Sequence, residues 1–311
     1  MALNGINLPL AFVGQEQIWA DVFTSSYGLT FADMDAFFTG PAFLPWYRMG
    51  NIRGWAGGDG GLTAASQSFT KARGALQKKL LARMRGLGMT AVLSAFSGHV
   101  PKAFVDKHPE AKVRRSPNWG KMPTDYNTAK IHHANYASVY MLDPHDALFE
   151  EVGNKFIKKM GEEWGTDHIY QTDTYNEMDP ENTTAAFLNA SSSAVYGGMN
   201  GADPDAIWLM QAWLFHHTST WGDAQIEAYV GGVAKDKLWL LDLSTSSRPV
   251  WTYTKSFYGH PYIWCTLSTF GGQNGLYGPD VGTSVLGGVY DGLNDADSTM
   301  NGVGITMEGI W

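Results

Sequence analysis

The 311-residue chain is 44% hydrophobic and only 17% charged, which is enough apolar content for one barrel-sized domain or two smaller ones. Its 30 acidic and 22 basic residues give a formal net charge of −8, arguing against a general nucleic-acid binder. The single cysteine, Cys265, excludes an intrachain disulfide and a cysteine-based zinc site, and no run approaches the ~18 unbroken apolar residues of a membrane span.

The first expected element is a short apolar strand over 6–12 (INLPLAF), followed by a helix over 15–38 in two pieces split at Gly28. A long loop over 39–61 carries Phe43, Trp46, Tyr47 and Trp55, and loops of that length are usually functional or disordered. The spacing predicts an amphipathic helix over 65–87, with Leu76, Leu80, Met84 and Leu87 inward and Lys78, Lys79, Arg83 and Arg85 solvated. A strand over 89–96 leads into Ser97-Gly98-His99, and a variable loop surrounds Trp119. A second amphipathic helix covers 144–164, with Leu148, Val152, Phe156 and Met160 inward.

The stretch 168–180 (HIYQTDTYNEMDP) begins as a strand and ends in Asp173, Asn176, Glu177 and Asp179. A helix is expected over 184–199, then strands over 207–213, 238–243, 261–267 and 302–308, with a helix over 221–230 between the first two. Cys265 lies in the apolar run PYIWCTL and is expected to be buried. Seven near-continuous apolar strands alternating with helices imply a parallel sheet covered on both faces. A closed (β/α)8 barrel needs eight. The expected fold is therefore an α/β TIM barrel lacking its first βα unit and last helix, with an open seven-stranded sheet as the alternative.

The chemistry collects at the ends of these strands. Gln15, His99, Asn176 with Glu177, Trp213, Asp242 and Glu308 follow or close six of them, and parallel strands bring such residues to one rim. Glu177 and Glu308 among Trp and His fit glycoside hydrolysis. One carboxylic acid protonates the leaving oxygen, and the second either attacks the anomeric carbon or activates a water. Asn176 suits a hydrogen bond to a sugar hydroxyl or acetamido group. Taken alone, 168–180 reads equally well as a capping loop before Pro180. The 12 Trp, 14 Tyr and 15 Phe supply rings for sugar stacking, although most are expected in the core. Two glycosylation acceptor triplets begin at Asn182 and Asn189, and the N-terminus lacks the basic start and apolar core of a signal peptide.

The runs MALNGINLPLAF, FFTGPAFLPWYRMGN, LGMTAVLSAFSGHVP, GTDHIYQTDTYNEMDP, WLMQAWLF, PYIWCTLSTFGG and GITMEGI resemble, in order along the chain, those of the α-N-acetylglucosaminidase family. The resemblance implies a retaining exo-hydrolase on a (β/α)8 barrel that removes terminal α-linked N-acetylglucosamine from heparan sulfate or related glycans. It implies Glu177 as general acid/base and Glu308 as nucleophile. Trp46, His99, Trp119, Asn176 and Trp213 match positions that line the sugar pocket. It implies no cofactor and no metal, a carbohydrate partner and a lysosomal, vacuolar or secreted location; homo-oligomerisation is left open. The resemblance also marks residues 1–311 as an incomplete catalytic barrel without the family's small N-terminal and helical C-terminal domains. That leaves open a catalytically incompetent, carbohydrate-binding fragment, or a barrel glycosidase of other specificity.

Overall fold

A computed structural model describes residues 1–38, 64–116, 139–268 and 285–307. The chain divides into two compact units, Met1–Asn182 with Ser193–Ala206, and Thr183–Ser192 with Ile207–Trp311.

In the first unit, α1 (Gln15–Ser26) buries Ile18, Trp19, Val22 and Phe23 along one stripe. The chain reverses at Gly28, whose φ of 68° is the left-handed conformation that glycine adopts freely. It then enters α2 (Phe31–Phe37) through a capping box, in which Thr30 Oγ1 accepts from Asp33 N–H and the Asp33 carboxylate accepts from Thr30 N–H. Trp19 anchors the core, with ring centroids 4.9 Å from Phe156, 5.6 Å from Phe96, 5.7 Å from Phe23 and 6.4 Å from Phe37.

Two expectations change here. The helix α3 (Ala64–Arg85) forms, but Leu76 and Leu87 are 40% and 45% exposed, while Thr70, Gln77 and Leu81 are buried. Leu80 and Met84 are half-buried and Leu87 lies beyond the helix, so the centre of the buried stripe is displaced towards Gln77 and Leu81 by less than the roughly 100° of one residue. Buried Gln77 fills that face because its side-chain amide donates to the Ala11 carbonyl at 2.5 Å, so a polar residue sits where the pattern favoured a leucine. The two N-terminal strands are also shorter than their apolar runs. Thr90 and Val92 N–H donate to the carbonyls of Asn7 and Pro9, and Ala11 N–H donates to Val92, but only Leu10 and Val92 form a parallel bridge. Pro9 has no N–H to give, which interrupts the ladder.

What remains of the second run is β1 (Leu93–Ser94), parallel to β5 (Ile169–Gln171) with Leu93 opposite Tyr170. Between them the chain builds a small antiparallel sheet of β2 (His99–Val100), β3 (Val113–Arg115) and β4 (Tyr140–Leu142), in the order β2-β4-β3, with the short helix α4 (Lys102–Lys107). Asp146 caps α5 (Ala147–Trp164) by accepting from Leu148 N–H, and of the residues expected inward Val152, Phe156 and Met160 are buried while Leu148 is half-buried. The C-terminal part of α6 (Ala185–Asn200) packs backbone to backbone on α5: a Cβ on Gly153 would lie 2.7 Å from the Cα of Gly198.

In the second unit β6 (Ile207–Gln211), β7 (Leu238–Asp242), β8 (Tyr262–Ser268) and β9 (Met300–Met307) pair in chain order, all parallel. Helix α7 (Asp223–Val230) connects β6 to β7, and α8 (Leu286–Asn294) precedes β9. Lys255 to Tyr258 form a left-handed turn with φ between 50° and 56°, stapled by Thr254 Oγ1, which accepts from Phe257 N–H. Trp208, Trp221, Trp264 and Cys265 are buried, so these rings and the cysteine serve the core. Among the described residues no helix is long and apolar enough to cross a membrane.

Candidate active site

Because β1 and β5 run parallel, the residues that follow them leave the first unit at the same end. After β1, Gly98 turns the chain at φ 103°, and a Cβ there would lie 2.6 Å from the Phe149 ring. This turn delivers His99 into the protein interior, 3% exposed. His99 Nδ1 hydrogen-bonds Ser97 Oγ at 2.8 Å, and Nε2 is buried without a partner among the described residues. Burial pulls the imidazole down to about 4, so the ring is neutral at physiological pH.

After β5, the polar stretch folds inward. Gln171 donates to Asp173 at 2.7 Å, and Thr172, Asp173, Thr174, Tyr175 and Asn176 are all buried. A turn closes as Met178 N–H donates to the Tyr175 carbonyl at 2.5 Å, with buried Tyr175 and Met178 as its two anchors. Between them, Asn176 takes a positive φ of 28°, rare outside glycine and tolerated best by Asn and Asp, while Glu177 is half-buried. A non-glycine residue in this region costs energy that the packing around it must offset, and such residues cluster at functional sites.

In the second unit the same ends of the parallel strands carry Trp213 and Asp242. Trp213 lies in a 3-10 turn, Ala212–His216, just beyond β6, its ring 5.1 Å from that of His216. Glu308, the next residue after β9, lies outside the described residues, as do Trp46 and Trp119. The structure therefore brings His99, Asn176 and Glu177 to one end of the first unit and Trp213 to the corresponding strand ends of the second.

Asp242 plays a part that sequence reasoning missed. It is buried at the end of β7, where one carboxylate oxygen accepts from Val250 N–H at 2.9 Å and Trp251 N–H at 3.1 Å, folding the loop that follows the strand. Burial pushes its carboxyl up to about 7, the two backbone donors acting in the opposite sense. The folded chain thus keeps a proton that the unfolded chain loses near its ordinary value of 3.8. This contribution to stability is complete below about pH 4, falls as pH rises towards 7 and is level above that. Asp242→Asn keeps an acceptor for both N–H groups and should flatten that slope. Urea titrations at several pH values would test this, and an unchanged slope would assign the effect elsewhere.

At the opposite end of β5, His168, Asp203 and Asp205 place ligand atoms within 4.8 Å of one another. Asp203 already accepts from Tyr170 OH at 2.7 Å and pairs with His168 Nδ1 at 2.9 Å, so the cluster closes as a hydrogen-bonded bracket. Of the two glycosylation triplets, Asn189 sits inside α6 with its amide donating to Ala228 O, while Asn182 is exposed ahead of that helix.

The sequence profile of the α-N-acetylglucosaminidase TIM-barrel domain matches residues 1–311. The chain belongs to the α-N-acetylglucosaminidase family. It is 44% identical to human α-N-acetylglucosaminidase over 311 residues, all of this chain and 39% of that protein. Among solved structures it is similar to a family 89 glycoside hydrolase from Clostridium perfringens in complex with 2-acetamido-1,2-dideoxynojirimycin, with a TM-score of 0.79 and 26% identity over 99% of this chain and 32% of that one. A form of the C. perfringens enzyme with two Glu→Gln substitutions, in complex with its substrate GlcNAc-α-1,4-galactose, is similar with a TM-score of 0.78 and 25% identity. The chain therefore spans less than half the length of these relatives, and its fold is the α/β TIM barrel of the family.

Proposed function

We propose that this chain supplies the catalytic barrel of a retaining exo-glycosidase that releases terminal α-linked N-acetylglucosamine. The observation that carries the reading is Glu177, half-buried on a turn with buried anchors at the end of β5, in a chain of this family. Glu177 is the general acid/base and Glu308 the nucleophile. Glu308 attacks the anomeric carbon as Glu177 protonates the departing glycosidic oxygen, leaving a covalent glycosyl-enzyme. Glu177, now ionised, takes a proton from water, whose oxygen displaces Glu308 and restores the original configuration. The double Glu→Gln form of the C. perfringens enzyme, solved with its substrate, supports a reaction built on two glutamates.

His99, Asn176, Trp213, Trp46 and Trp119 line the sugar pocket. We assign the neutral His99 ring the Nε2–H tautomer, in which Nδ1 accepts from Ser97 Oγ and Nε2–H donates to a substrate oxygen. Asn176, fixed at its strained backbone, holds a hydroxyl or the acetamido group. No cofactor enters these steps. The substrate is a glycosaminoglycan such as heparan sulfate, or a related glycan, met in a lysosomal or secreted setting. Proton NMR of a 4-nitrophenyl α-N-acetylglucosaminide digested by the protein at its full length tests the mechanism. The first-formed sugar should be the α-anomer, and a β-anomer released first would overturn retention.

A further inference from the structure

The small antiparallel sheet links two parts of the proposed site. In its register His99 on β2 pairs with Met141 on β4, and Met141 pairs with Arg114 on β3. Directly opposed residues share a face, so His99, Met141 and Arg114 form one row across the sheet. At the far edge of that row, Arg114 Nη1 donates to Glu181 Oε1 at 2.6 Å and approaches Asp143 Oδ2 at 3.3 Å. The Arg114 and Glu181 side chains are 19% and 31% exposed, so the pair is partly shielded from solvent.

Glu181 lies four residues after Glu177. On its N-terminal side the Glu177 turn is anchored by buried residues from Gln171 to Asn176. On its C-terminal side, beyond Pro180, the chain runs into six exposed residues, 181–186. The Arg114–Glu181 ion pair stands where buried packing ends.

We infer that Arg114 is a positioning residue for Glu177: through Glu181 it pins the acid/base turn to the sheet whose other edge carries His99. The inference rests on the glycosidase reading above. Arg114 touches neither substrate nor reacting atoms; it holds the proton donor at its distance from the glycosidic oxygen.

Leaving-group dependence separates this role from general support of the fold. A methyl or sugar alkoxide leaves only as it is protonated, whereas 2,4-dinitrophenolate leaves without a proton. The value of kcat/KM reports the first, bond-breaking step for both substrates. In the protein at its full length, Arg114→Met and Glu181→Ala should each lower kcat/KM about 10- to 100-fold on methyl α-N-acetylglucosaminide. The loss on the 2,4-dinitrophenyl glycoside should be no more than about threefold, because proton transfer contributes little there. The double variant should lose no more than Arg114→Met alone, and Arg114→Lys should recover part of the loss.

Equal losses on both substrates, additive losses in the double variant, or no loss in variants of unchanged Tm would overturn the inference. Glu181→Ala, a partly exposed position, provides the test if Arg114→Met does not fold. Glu177→Gln is the control. If it lacks the leaving-group bias, Glu177 is not the proton donor and the reading of the site fails. If it shows the bias and the Arg114 and Glu181 variants do not, the positioning role alone fails.

Discussion

Glu177→Gln should lower kcat/KM on alkyl or sugar glycosides of α-N-acetylglucosamine by about 10²- to 10⁴-fold, the range typical of a lost general acid. The substitution is nearly isosteric. The turn that carries it is held by Tyr175 and Met178, both buried, so Tm should stay close to that of the parent. Glu308→Ala should abolish turnover of every α-N-acetylglucosaminide, including those with good leaving groups, because no attack on the anomeric carbon remains. Azide distinguishes the two roles. In Glu177→Gln it attacks the glycosyl-enzyme in place of water, needs no base, and gives the α-glycosyl azide. In Glu308→Ala it enters the space left by the carboxylate, displaces the leaving group directly, and gives the β-azide. Undiminished activity in Glu308→Ala would sink the assignment, and swapped azide products would exchange the two roles.

Trp19→Ala should destabilise the first unit by about 3–5 kcal/mol, as expected for removing a buried ring that its surroundings cannot refill. Four phenyl rings, on α1, α2, α5 and the segment after β1, meet the Trp19 indole, and its N–H donates to Gln15 at 3.2 Å. These rings belong to separate elements, each already positioned by its own backbone, so collapse into the space is opposed. One of them, Phe96, lies three residues before His99, so the loss should reach the site as well as the fold. Urea denaturation measures the change. A loss below about 1 kcal/mol would mean that the aromatic cluster relaxes around the gap.

Much of the local structure was legible in the residues. The 3.6-residue period identified α5 and its buried Val152, Phe156 and Met160 face, because that helix packs along the stripe that these residues define with Phe149, Ile157 and Trp164. Gly28 marked the break between α1 and α2, since a left-handed turn there favours glycine. The run from His168 to Pro180 showed a strand ending in polar groups, and β5 ends in the turn that holds Asn176 and Glu177. The apolar runs from 207 onward became four parallel strands; β6, β7 and β8 are hydrophobic on both faces and largely buried, whereas β9 joins the sheet with Val303 and Ile305 exposed on one face.

The remainder depended on groups far apart in the chain. Which stripe of α3 turns inward was decided by the Ala11 carbonyl, 66 residues from Gln77. The length of the first strand pairing was decided by Pro9, which accepts from Val92 N–H but has no N–H to return to the facing strand. The sheet of β2, β3 and β4 lay hidden in what reads as a variable loop, since strands of two or three residues leave no period to detect. Asp242 carries no local mark of its burial, and Arg114 none of its pairing with Glu181, 67 residues later. By itself the sequence determined the parallel α/β class, the family and the residue types that suit glycoside hydrolysis, because periodicity and composition are properties of neighbouring residues. Only the tertiary structure decided which helix face is buried, how the Glu177 turn is anchored and which charge pins it, because those depend on pairings that form only when distant segments meet.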